Sequence, residues 1–143
     1  MKYKYLEDEA TADVAFISYG KSLEEAFTNS AQAVIELMID SKSIDVQEVK
    51  RVSKSARDLK ALLYDFLEEI IYFHDAENLV FKTVEAKRVY EENNLWYLEA
   101  VFKGEQFDKK KHKVGSPIKA ITYFGMQIRQ EKKQWIVKVT LDL

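Results

Sequence analysis

The sequence predicts an α+β domain: two amphipathic helices packed on a mostly antiparallel (mixed) β-sheet. Two observations carry that prediction. Residues 22–40 and the stretch from Ser55 to Ile71 space their apolar residues three and four apart, whereas most of the remaining chain alternates with period two. A third sets the scale, since 143 residues, 47% of them apolar and 13% aromatic, hold enough apolar surface for one packed core. A single domain over residues 1–143 is expected, with neither repeat nor linker.

Residues 12–20, "ADVAFISYG", offer apolar side chains to both faces and predict a strand covered on each side. Ser22-Leu23-Glu24-Glu25 then forms a capping box, in which the Ser22 hydroxyl accepts from the Glu25 N–H and the Glu25 carboxylate reaches back. Leu23, Ala26, Phe27, Ala31, Val34, Leu37 and Met38 follow on one face, so the first helix extends to about Asp40. Residues 43–53 predict a strand whose alternation breaks between Val46 and Val49, which a bulge near Gln47–Glu48 would reconcile. The second helix carries the stripe Leu59, Leu62, Leu63, Phe66, Leu67, Ile70 and Ile71, with its start assigned to Ser55 and Asp58. Strands at 79–90 and 95–103 flank the turn Glu91–Asn94, and Gly104 to Pro117 predicts a charged loop. Two last strands, 118–130 and 134–143, join through Glu131-Lys132-Lys133; in the final one Trp135, Val137, Val139, Leu141 and Leu143 share a face.

Composition excludes several classes of function. Without cysteine there is no disulfide, thiolate nucleophile or sulfur-ligated zinc, which fits a cytoplasmic location. No apolar run follows Met1, so neither a signal peptide nor a membrane span is expected. The net charge of −2, from 22 basic and 24 acidic residues, argues against strong direct binding of nucleic acid. The four glycines are scattered and form no phosphate loop, and the two histidines lie in different segments with no nucleophile elbow nearby. An enzyme is not expected.

Two charge constellations remain. Lys109 to Lys113, "KKKHK", has only Phe107 as a stacking surface, so it is either a solvated loop segment or a docking loop for an acidic partner. Asp13 opens an apolar strand, Asp142 stands beside the terminal Leu143, and Asp40 follows the first helix. Were the first and last strands to pair, Asp13, Asp142 and the α-carboxylate of Leu143 would converge, and such an all-oxygen set suits a hard cation. Spacing alone favours the plainer alternative, in which Asp13 caps a turn and Asp142 frays into solvent.

A resemblance changes that balance. "YLEDEATADVA", "YGKSLEEAF", "DLKALLYDFLEE", "GEQFDKKKH", "IKAITY" and the final "LDL" resemble, in this order, the motifs of the archease family over essentially the whole chain. The resemblance implies a small α+β accessory protein of the tRNA-splicing RNA ligase. Such a protein promotes guanylation and multiple turnover of the ligase and broadens its nucleotide use. A chaperone-like or scaffolding module for another RNA-processing enzyme is the alternative. The family binds a divalent metal, which implies Ca²⁺ first and Mg²⁺ second, held by Asp13, Asp142 and Leu143, with Asp40 as an outer candidate. Where the family reads Asp/Glu-His-Thr-Ala-Asp, this chain has Glu9-Ala10-Thr11-Ala12-Asp13, and Ala10 has no side-chain group to donate, accept or coordinate. The cations Lys109, Lys110, Lys111 and Lys119, with His112, are expected to face the ligase.

Overall fold

The computed structural model describes residues 1–6 and 13–143, so the Glu9–Ala12 motif lies outside the described residues. Strand β1 (Tyr3–Leu6) precedes β2 (Asp13–Gly20), helix α1 (Leu23–Met38), a 3-10 turn (Ser41–Ser43), β3 (Glu48–Ala56) and helix α2 (Leu59–Glu77). Then come β4 (Leu79–Glu92), β5 (Leu95–Gln106), β6 (Ala120–Glu131) and β7 (Gln134–Asp142). Two sheets form, in the orders β1-β2-β7-β6 and β3-β5-β4, and every pairing within them is antiparallel. The expected α+β arrangement of two helices on mostly antiparallel sheet is present, with the strands divided between two sheets against which both helices lie. Helix α1 packs on β2 and β4, and α2 on β6 and β3, so each helix bridges the sheets.

The helix ends follow their capping chemistry. Ser22 accepts from Glu25 N–H at 3.1 Å, while the Glu25 carboxylate reaches the N–H of Lys21, one residue before the cap. Asp58 alone caps α2, accepting from Ala61 N–H at 2.8 Å; Ser55 belongs to β3, because its ladder with β5 continues through Ala56. Asn78 ends α2 in the left-handed conformation at φ 57°, a position that suits asparagine. The apolar faces of both helices are buried: Phe27, Val34, Leu62, Leu63, Phe66 and Leu67 all join one core cluster with Phe102 of β5 and Val137, Val139 and Leu141 of β7.

The strands differ from expectation in boundary and in bulge position. No bulge occurs at Gln47–Glu48, because the chain reaches Glu48 through the 3-10 turn and an extended segment that buries Ile44, leaving the β3–β5 register unbroken. The irregularities fall in β4 instead, between Phe81 and Thr83 and between Ala86 and Arg88. Strand β5 runs on to Gln106, held by pairing with Leu79, so the loop begins at Phe107 rather than Gly104. Among the described residues, no helix is long and apolar enough to cross a membrane.

Candidate functional site

The first and last strands do pair. Asp13 lies directly opposite Asp142 in the β2–β7 ladder, and Phe16 faces Val139. Side chains alternate along each strand, so Asp13 and Asp142 share the face turned away from the one that buries Phe16, Val139 and Leu141 against the helices. Both aspartates are half-buried. Directly opposed residues of an antiparallel pair have Cα atoms about 4.5–5.5 Å apart, and like charges there are destabilising. Their donor set is oxygen alone, which suits a hard cation that would cancel the repulsion. Leu143 follows Asp142 and packs its side chain on the core.

Asp40 is employed elsewhere. It caps the 3-10 turn by accepting from Lys42 N–H at 3.1 Å, and its own N–H donates to Lys113 O. Among the described residues, no group of three or more Asp, Glu or His side chains is arranged to hold a metal ion. The aspartates brought together are thus Asp13 and Asp142. Lys119 joins this end of the molecule, its N–H donating to Asp142 O at 2.8 Å.

The basic loop is built around Glu105. Its carboxylate accepts from Asp45 N–H at 2.8 Å, from Lys111 Nζ at 2.9 Å and from His112 Nε2 at 2.9 Å. These donors, Lys111 foremost, then Asp45 and His112, hold its carboxyl down to about 2 against the resistance of burial. Lys111 also pairs with Asp45 at 2.7 Å, and the two carboxylates push its ammonium group upward. Asp108 shapes the turn: its carbonyl accepts from the N–H groups of Lys111 and His112, and its own N–H donates to His112 Nδ1 at 2.9 Å. Because Nδ1 accepts, the ring proton toward Glu105 sits on Nε2. The His112 ring also stacks on Phe107, with centroids 5.8 Å apart.

This geometry corrects the expectation for His112. Only 4% of the residue is exposed, so it anchors the loop from within and does not face a partner. Lys111 is exposed but holds its ammonium group on Glu105 and Asp45, whereas Lys109, Lys110 and Lys119 are exposed and in no ion pair among the described residues. Sequence reasoning missed Glu105 and Asp45 altogether. The signal was available: a glutamate at the end of an alternating strand, with lysine and histidine six and seven residues on, is a carboxylate placed to receive them.

A family model described as the Archease protein family matches residues 3–143. The chain belongs to the archease family. Curated relatives called Protein archease include one from Methanosarcina acetivorans, 32% identical over 99% of this chain and 96% of the relative. Another, from Pyrococcus abyssi, is 38% identical over 94% and 95%. The solution structure of Methanobacterium thermoautotrophicum protein 1598 superposes with a TM-score of 0.83 at 31% identity, covering 99% of this chain and 98% of that one. A Thermotoga maritima crystal structure, described as an archease and possible chaperone, shares the fold at a TM-score of 0.60 and 21% identity, covering 96% of each chain. The archease fold thus accounts for both sheets and both helices.

Proposed function

We propose that this archease is a non-catalytic accessory protein of the tRNA-splicing RNA ligase, promoting its guanylation and multiple turnover and broadening its nucleotide use. Family membership supports the reading, and the direct opposition of Asp13 and Asp142 beside Leu143 is the observation that carries it. Asp13, Asp142 and the α-carboxylate of Leu143 would hold one divalent cation, Ca²⁺ before Mg²⁺, because calcium tolerates irregular oxygen geometry. When bound, the cation supplies positive charge to carboxylates that otherwise repel. The chain's own residues do the rest: the β2–β7 ladder sets the two aspartates opposite each other, and Leu143 carries the last carboxylate. Lys109, Lys110 and Lys119 are exposed cations whose effect would be on the rate of association with the ligase.

Ligation turnover by the purified cognate ligase, with and without this protein, tests the reading. Turnover should become repeated in its presence, and the protein alone should neither hydrolyse GTP nor join RNA. Hydrolysis that co-purifies with the protein and disappears in Asp13→Ala would replace the accessory role with a catalytic one. The Thermotoga maritima structure's description as a possible chaperone favours a second reading, a chaperone-like module for another RNA-processing enzyme. That reading requires protection of the client from aggregation without any change in ligase turnover.

For the cation, calorimetric titration of calcium into the untagged protein, a C-terminally tagged form and Asp13→Asn is decisive. Affinity should fall in both altered proteins. Equal affinity in all three places the cation elsewhere.

A further inference from the structure

The edge strand β6 leaves its partner β7 between the pairs Thr122–Thr140 and Gln127–Lys138, and the intervening bulge presents Tyr123 and Phe124 to solvent. Phe124 is 80% exposed and Tyr123 52%, in a protein that buries most of its large apolar side chains. Bulges on edge strands re-aim side chains and break the ladder that would let another strand add on. This one is held in place. Tyr123 stacks on Tyr64 of α2 with centroids 4.4 Å apart and planes 5° from parallel. The N–H of Ile121, two residues before Tyr123, donates to Glu68 of the same helix at 2.8 Å. Gly125 takes φ +66°, which L side chains rarely adopt, and lies against Thr140, so the bulge has a built shape.

Its surroundings are acidic. Burial first, and then the Asp65 and Asp58 carboxylates, push the Tyr123 hydroxyl upward; burial, Glu68 and Asp65 do the same to Tyr64. Neither Asp58 nor Asp65 pairs with a cationic side chain among the described residues. Aromatic faces beside unpaired carboxylates attract a cation and repel phosphate, which separates this surface from the aromatic platforms that stack nucleic-acid bases. The molecule already uses such a contact internally, where Arg88 lies 4.2 Å over the Tyr90 ring.

We propose that Tyr64, Tyr123 and Phe124, rimmed by Asp58 and Asp65, form a docking surface for an arginine- or lysine-bearing segment of a protein partner. The aromatic faces take the alkyl stem and the cation, and the carboxylates set the sign of the charge that approaches. The surface stands independently of the carboxylate pair at Asp13 and Asp142; only the partner's identity rests on the accessory reading.

The probe is a tetra-arginine peptide, titrated into the whole protein by NMR, with tetra-glutamate and a short oligouridylate as opposite charges. Shifts should centre on residues 64 and 123–125, and affinity should fall roughly two- to five-fold in Phe124→Ser and again in Asp65→Asn, the scale of one exposed cation–π contact. Asp65→Asn leaves the aromatic residues untouched and keeps the test valid should the bulge variant fold poorly. Unchanged affinity in both variants, shifts centred elsewhere, or equal binding of tetra-glutamate or oligouridylate would overturn the proposal. The same variants assayed with the ligase separate the two ideas: failure of the unaltered protein to stimulate the ligase ends the accessory reading, while the peptide titration still decides the surface.

Discussion

Two charged regions near the ends of β7 and β5 solve opposite problems. Around Glu105 the chain supplies its own counter-charge and donors: the Lys111 ammonium group, the His112 Nε2–H and the Asp45 N–H all converge on one carboxylate. At Asp13 and Asp142 the ladder sets two carboxylates face to face, and the described residues bring no cationic side chain to them. A self-satisfied cluster stabilises a loop. An unsatisfied pair is a place for something from outside the chain. The same residue types therefore have different meanings, decided by which neighbours the fold delivers.

The largest expected effect breaks the first region. Glu105→Ala strands the buried His112 Nε2–H and frees Lys111, so urea unfolding should report a loss of roughly 3 kcal/mol, the upper range for an unsatisfied buried donor. A loss below about 1 kcal/mol would mean that the loop is held by Phe107 and the backbone alone. Next in size is calcium. At a free concentration near a hundred times Kd it should stabilise the protein by about 2.7 kcal/mol, seen as a rise in Tm that Asp142→Asn abolishes. Without metal the same substitution should act in the opposite direction, stabilising by roughly half a kcal/mol because it removes a like-charge pair. Destabilisation by Asp142→Asn in chelator would show that the pair is not repulsive.

Acid titration sharpens the contrast further. The folded Glu105 carboxyl sits at about 2, below its unfolded value near 4.5, so between these the unfolded chain binds the extra proton. Its contribution is complete above about 4.5 and is lost as pH falls through about 2. The stability-versus-pH slope in that window should be shallower in Glu105→Gln than in the unaltered protein. The smallest stability effect belongs to the exposed cations: Lys109→Ala with Lys110→Ala should change stability by less than about 0.5 kcal/mol. The pair should nevertheless slow association with the ligase and flatten its salt dependence. Unchanged association rates at low salt would leave those cations without a role.

How much of this was legible in the sequence depended on the range of the interaction. Ser22 and Asp58 declare their helix starts because a cap is read within three residues. The alternation of Trp135 to Leu143 gave the orientation of β7 correctly, since period two is set locally by the pleat. Ser55 misled because its side chain suits a cap, while the pairing of β3 with β5, some forty residues away, keeps it in a strand. The division into two sheets was equally invisible, being a matter of which distant strands bond. For the candidate site, the opposition of Asp13 and Asp142 needed β2 and β7 to pair, which spacing could only pose as a condition. Glu105 was legible only in part: Lys111 and His112 follow it closely in the chain, but Asp45 comes from the opposite direction, and His112 within a basic run looked like one more solvent-facing charge.

The seam between the basic loop and α1 has a consequence for exchange and insertion. The N–H groups of Gly115 and Ser116 donate to Met38 O and Leu37 O at 2.8 and 2.7 Å, closing carbonyls that the end of a helix leaves open. A Cβ on Gly115 would lie 2.3 Å from Leu37 O, so only glycine allows that approach. These two loop amides share a cooperative unit with the last turn of α1, and their deuterium uptake should follow the fraying of that helix. A foreign segment spliced between Val114 and Gly115 would unzip the helix terminus, and one between Lys109 and Lys110 would open the Asp108 turn that delivers His112 to Glu105; two splice points five residues apart on one loop are thus closed for different reasons.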